Sequence, residues 1–94
     1  MLEMKQKDDG QHGTFYIGEN GHDLAEMTYT WKDEHTFTID HTTVDESLRG
    51  QGVANKLLAQ AVAFAREKNL KIIPLCPFAK SVFDKDSSLH DVLK

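Results

Sequence analysis

The sequence predicts one α+β (α/β) domain: a mostly antiparallel sheet, then a long helix, a last strand parallel to its neighbour, and a short C-terminal helix. Three observations lead there. The first half alternates apolar and polar residues with period two. Residues 53–65 switch to the helical period. The order strand, helix, strand over residues 36–76 then requires a crossover that leaves the two strands parallel. At 94 residues the chain holds one core, so residues 1–94 are read as a single domain.

Each element follows from its residues. Residues 1–12 read as a short strand or arm ending in a turn at Asp8-Asp9-Gly10. Residues 14–17 are β-rich, and Asn20-Gly21 signals a tight hairpin turn. In residues 23–31, Ala25, Met27, Tyr29 and Trp31 share one face while Glu26, Thr28 and Thr30 take the other. Lys32-Asp33-Glu34 turns the chain, and residues 36–42 alternate again, with Phe37, Ile39 and His41 expected on one face.

Helix 50–68 carries an apolar stripe of Val53, Ala54, Leu57, Leu58, Ala61, Val62 and Ala65, and Asn69 suits a left-handed cap. Residues 71–76 read as a strand, in which Pro74 must break the ladder or sit at an edge. Residues 78–83 form a short helix after Pro77, and Leu89, Val92 and Leu93 give the polar tail something to pack.

Composition narrows the function classes. Eleven Lys and Arg against fifteen Asp and Glu give a net charge of −4, which argues against nucleic acid and anionic membranes as partners. The only cysteine is Cys76, so no internal disulfide forms, and the five histidines lack metal-ligand spacing, so no metal is expected. The start of the chain is polar and no apolar run approaches the roughly 20 residues of a membrane span. A cytoplasmic protein is the expectation.

The informative stretch is residues 41–54, HTTVDESLRGQGVA. A strand ends, a polar loop follows, and two glycines open the helix. The first turn of a helix presents unpaired N–H groups and a partial positive charge, and glycine lets a phosphate approach them. Two glycines also serve a plain strand-to-helix turn, so both readings stay open on these residues alone. No P-loop or dinucleotide fingerprint is present.

Arg49-Gly50-Gln51-Gly52-Val53-Ala54 resembles the [Q/R]-x-x-G-x-[G/A] motif of the GNAT superfamily, the acyl-CoA-dependent N-acetyltransferases. The order of elements over residues 36–83 follows that superfamily too. The short length and Cys76-Pro77-Phe78-Ala79-Lys80 are similar to a minimal GNAT-like subgroup of about a hundred residues that lacks the helices usually building the acceptor site. The resemblance implies acetyl-CoA as cosubstrate and an amine acceptor, either a small molecule or a protein lysine. It implies that backbone N–H groups of Gly50, Gln51, Gly52, Val53, Ala54 and Asn55 hold the CoA pyrophosphate, with Arg49 in the same cofactor-binding segment. Thr42, Thr43 and Val44 would pair with the pantetheine arm. Phe78 and Lys80 would add cofactor contacts, with Lys56 a further cation in reach. A monomer or weak homo-oligomer is expected.

Two catalytic candidates follow. Cys76 ends the last strand beside the implied thioester, where a thiol can take the acetyl group or protonate the leaving CoA, or simply pack. His41 can act as general base for the amine or activate Cys76, or serve as a core-edge histidine. Many superfamily members carry a tyrosine acid after the last core strand; here that region has Phe78 and Phe83. The expected activity is N-acetyl transfer. The alternatives are a non-catalytic acyl-CoA binder or sensor, and an interaction module that kept only the fold.

Overall fold

The structure, a computed structural model, describes residues 3–19 and 22–94. Among these residues five strands form one sheet in chain order: β1 (Met4–Asp8), β2 (His12–Glu19), β3 (His22–Asp33), β4 (Thr36–Val44) and β5 (Lys71–Pro74). The first four are antiparallel neighbours, and β4 and β5 are parallel, joined by helix α1 (Val53–Lys68). Helix α2 (Pro77–Lys85) follows. This is the expected fold, and of the short strand or arm expected near the start, Met4–Asp8 is a strand paired with β2. The expected Asn20-Gly21 turn lies outside the described residues.

Alternation builds the core. Phe15 and Ile17 of β2, Ala25, Met27 and Tyr29 of β3, and Phe37 and Ile39 of β4 are buried against α1, which buries Val53, Leu57, Leu58, Ala61, Val62 and Ala65. Tyr29 lies 5.1 Å, centre to centre, from both Phe15 and Phe37, and Phe64 of α1 caps the group at 5.8 Å from each phenylalanine. Phe64 extends the helical stripe beyond the residues expected, while Ala54 is only half-buried. The other face of β2–β4 is uncovered: Thr14, Tyr16, Glu26, Thr28, Thr30 and Thr38 are all half-buried.

The antiparallel strands and the end of α2 run a few residues longer than expected, and the boundaries around the crossover differ for local reasons. Helix α1 starts at Val53, because Gly50 and Gly52 are in positive φ (82° and 68°) and stay outside it. It ends as expected on Asn69 at φ 59°. Strand β5 stops at Pro74 instead of Cys76. Pro74 has no N–H to give, and the next two N–H groups, of Leu75 and Cys76, both turn onto the Ile39 carbonyl at 3.0 and 2.9 Å. Cys76 thereby becomes the N-cap of α2, whose first residue is Pro77, a favoured place for proline. The tail packs through buried Val92, and Leu93 bridges Ile72 in parallel.

Candidate functional site

The end of the β4–β5 pairing defines the site. Only four pairs form, from Thr36–Lys71 to Ile39–Pro74. Beyond Ile39 the strand continues, but Thr42, Thr43 and Val44 pair only with Met27, Glu26 and Ala25 of β3. Among the described residues the other edge of this stretch has no strand beside it. A row of free backbone donors and acceptors is thus left facing a gap, able to receive an extended chain. At the gap Thr42 Oγ1 lies 3.3 Å from Cys76 Sγ. Cys76 is 4% exposed, and Leu75 beside it is 61% exposed.

Just past Val44 the expected polar loop is held by a cap of its own. Asp45 N–H donates to the Leu24 carbonyl at 2.7 Å, and the Asp45 carboxylate caps a 3-10 turn (Glu46–Leu48), accepting from Ser47 N–H and Oγ at 3.0 and 2.6 Å. Leu48 is buried and pins the turn to the core. The D-E-S start is a legible capping signal.

The helix start is open in the chemical sense. The first bond of α1 is donated by Lys56 N–H to the Gly52 carbonyl at 3.1 Å, and no side chain caps the helix. Among the described residues the N–H groups of Gly50, Gln51, Gly52, Val53, Ala54 and Asn55 have no backbone acceptor. A Cβ built on Gly50 or Gly52 would meet nothing within 4 Å, so these glycines serve positive φ and leave free room in front of the helix. That room is a cavity of about 240 Å3 lined by Val44, Leu48, Arg49, Gly50 and the first helical turn. A larger hollow at the other end of β3, about 540 Å3, is lined by Asp8, Asp33 and Glu34 with Trp31 and Lys32. Three carboxylates against one ammonium make it unfit for a polyphosphate.

The expected site residues divide accordingly. Residues 42–44 and 49–55 adjoin one another along the gap and the helix start. Arg49, Gly50, Gln51, Asn55, Lys56 and Lys80 are exposed, and Phe78 is half-buried against the core. His41 is not where strict alternation put it. Tyr29 pairs with Ile39 but Thr28 pairs with His41, so Asp40 is an extra residue, a β-bulge. The bulge reverses parity. Thr42 now faces the core side and touches Cys76, whereas His41 lies exposed on the uncovered face with Thr28. His41 therefore shares no face with Phe37 and Ile39, and the side chain that meets Cys76 is Thr42. The signal was present: the apolar positions move from odd (Phe37, Ile39) to even (Val44) across Asp40.

Sequence reading also missed Asp40. Its carboxylate accepts from Thr30 Oγ1 at 2.5 Å and from Thr38 Oγ1 at 2.7 Å on the uncovered face. Among the described residues no group of three acidic, histidine or cysteine side chains is placed to hold a metal, and no helix is long and apolar enough to cross a membrane.

Comparison with known proteins agrees with this geometry. The profile of the GCN5-related N-acetyl-transferase family matches residues 14–92. The protein NATD1 of Xenopus tropicalis is 31% identical over 87 residues, covering 92% of this chain and 79% of its own length. The mouse (Mus musculus) NATD1 is likewise 31% identical over 87 residues, covering 92% of this chain and 78% of its own. A GCN5-like protein of Staphylococcus aureus, solved by NMR, superposes with a TM-score of 0.80 at 47% identity, covering 99% of this chain and 88% of its own. At 13% identity, and so in fold alone, a GNAT family acetyltransferase of Elizabethkingia anophelis with acetyl-CoA bound superposes with a TM-score of 0.66 over 89% of this chain and 72% of its own. The chain belongs to the GCN5-related N-acetyltransferase family.

Proposed function

We propose that this chain binds acetyl-CoA between β4 and the start of α1 and transfers its acetyl group to an amine. The observation that carries the reading is the continuity of two unpaired backbone surfaces. The free edge of residues 42–44 leads directly to the free N–H groups of residues 50–55. An extended pantetheine arm would complete the first as an added strand, and a pyrophosphate would accept from the second, aided by the partial positive charge of the helix start. Arg49, Lys56 and Lys80 are exposed cations for the nucleotide phosphates, and Phe78 is a neighbouring surface for the arm. The acetyl-CoA held by the Elizabethkingia anophelis protein of the same fold supports the choice of ligand. No metal enters the reaction as proposed, and a cytoplasmic setting suits a chain with one unpaired cysteine.

Transfer requires three events: the amine loses a proton, its nitrogen bonds to the thioester carbon as the C–S bond breaks, and the CoA sulfur gains a proton. His41, exposed beside the gap, takes the amine proton. Cys76 is the group at hand for the sulfur, in place of the tyrosine that many family members use. Thr42 Oγ1, 3.3 Å away, orients the thiol. In the two-step variant Cys76 accepts the acetyl group first and returns it to the amine.

The deciding experiment is calorimetric titration of the purified chain with acetyl-CoA, followed by mass spectrometry of the mixture. Saturable binding is expected. A gain of one acetyl group on Cys76 selects the two-step route, and an unmodified protein with turnover selects direct transfer. Binding with no turnover on any amine would select a non-catalytic acyl-CoA binder, which the missing tyrosine favours. Absence of binding would leave an interaction module with this fold.

A further inference from the structure

Resting on the acetyl-transfer reading, the uncovered face of the sheet identifies the acceptor's chemistry. The bulge at Asp40 turns two consecutive side chains, Asp40 and His41, to that face, immediately past the last β4–β5 pair. Asp40 is half-buried and fixed from two sides by the hydroxyls of Thr30 and Thr38. Each carboxylate oxygen there accepts one hydroxyl, and a carboxylate offers about four acceptor positions in all. Two remain. No Lys or Arg pairs with Asp40 among the described residues, where the only Lys or Arg ion pair joins Arg66 to Asp91. A further unfilled group lies at the same place. Thr28 Oγ1, opposite His41 in the register, is buried without a hydrogen-bond partner, an exception that calls for an explanation, a bound group being one.

We propose that Asp40 is the residue that selects a positively charged acceptor: its carboxylate draws a primary ammonium group onto the uncovered face beside His41. Held there, the ammonium gives its proton to the His41 imidazole, and the neutral nitrogen faces the thioester across the gap. Asp40 stays charged throughout and forms no bond with the substrate carbon. The ammonium belongs either to a lysine side chain or to a free alkylamine; both present the same charged group to an uncovered face.

The test is a backbone-amide NMR titration of the full chain with n-butylammonium chloride, with n-butanol as the neutral control. The expected result is movement of the Thr28, Thr38, Asp40 and His41 signals with the ammonium only. Asp40→Asn, which keeps shape and loses charge, should weaken that response by roughly tenfold or more, the equivalent of about one lost charged contact. Asp40→Glu, which restores the charge, should recover part of it, so a variant that merely disturbs the bulge is distinguished from one that lacks the carboxylate. A response equal in Asp40→Asn and wild type, or centred on Asp8, Trp31 and Glu34, overturns the assignment. Comparing putrescine with a capped lysine peptide then separates the two sources by which binds more tightly. Turnover adds a second check, since loss of Asp40 should raise KM for the amine more than it lowers kcat. Acetyl-CoA titration of the wild type stands apart from all of this. Ammonium binding without acetyl-CoA binding sinks the transfer reading and leaves a cation site, whereas acetyl-CoA binding with an indifferent Asp40 sinks this assignment alone.

Discussion

Glycines at two positions play opposite parts, and substitution separates them. Gly13 pairs with Tyr29 on the core side of the sheet, and a Cβ there would fall 1.9 Å from the Tyr29 ring. The ring occupies the space a side chain would need. Gly13→Ala should push Tyr29 off the Asp8 carboxylate and cost about 1–3 kcal/mol, the usual range for overpacking, read as a lower midpoint in urea unfolding. Gly52 has open space before it and needs only its φ of 68°. Asparagine tolerates that conformation, so Gly52→Asn should leave stability within about 1 kcal/mol of wild type while its side chain fills the space proposed for the pyrophosphate. Acetyl-CoA affinity measured by calorimetry should fall by roughly tenfold or more. A branched residue would be a poorer probe, because Gly52→Val adds backbone strain to the block and confuses the two effects. An Asn variant with wild-type affinity would remove Gly52 from the binding site.

At the scale of the element, the edge strand β1 shows how a largely exposed segment stays attached. Of its residues only Met4 is even half-buried, so packing holds it weakly. The attachment is polar. Asp8 Oδ2 accepts from Tyr29 Oη at 2.6 Å and from Trp31 Nε1 at 2.9 Å, Asp8 Oδ1 accepts from Gly10 N–H at 2.7 Å, and Gln6 Nε2 donates to Tyr29 Oη at 2.8 Å. Partial burial alone would push the Asp8 carboxyl up, but the donated bonds from Tyr29, Gly10 and Trp31 together outweigh it and hold its pKa below the usual carboxylate range. A depressed folded-state pKa contributes stability that is fully present above the unfolded value, near 4, and is lost as pH falls through the folded value. Stability should therefore decline below about pH 4, with amide exchange in β1 rising before exchange in β3. Asp8→Asn should flatten that acid limb of the stability curve. An acid limb identical in the variant and the wild type would show that Asp8 does not anchor the strand.

Elements differed in how plainly the sequence announced them. The strands and α1 were legible because each buries one face, and burial imposes a period on the residues: two for Ala25, Met27 and Tyr29, and helical for Leu57, Leu58, Ala61 and Val62. The helix start was legible because the Arg49–Ala54 motif and two glycines sit where strand becomes helix. What stayed hidden depended on a single inserted residue. A bulge shifts parity without changing composition, so His41 was expected on the core side and the Asp40 carboxylate went unread. Thr42 meets Cys76 across a separation of 34 residues, a contact set by the parting of β4 and β5 that no local pattern reports. The Asp45 cap was available in the letters D-E-S but is short enough to pass for any polar loop.

The whole molecule holds the gap proposed for the cosubstrate within a small fold, whose described residues form one sheet and two α-helices, and this sets how binding should register. Half of the proposed site is the unpaired edge of β4, and half is the unsatisfied first turn of α1. Both exist because the sheet parts after Ile39–Pro74, so the unliganded fold leaves backbone groups with no protein partner at the junction of its two halves. A ligand that pairs with residues 42–44 and 50–55 together would join the antiparallel half to the crossover half. If acetyl-CoA binds as proposed, to the folded chain and not the unfolded one, then at 100 times its dissociation constant it should add about 2.7 kcal/mol to stability. For a domain of this size each kcal/mol moves Tm by about 4–8 °C, so a rise of roughly 10–20 °C is the expected outcome in a thermal scan. Dephospho-CoA should give nearly the same rise if the pyrophosphate and pantetheine carry the contact, and adenosine alone should give little. A chain that binds only through the surface cations Arg49, Lys56 and Lys80 would respond otherwise. Its stabilisation would collapse in high salt, since exposed charges are screened within about a Debye length, while hydrogen bonds from residues 50–55 would persist.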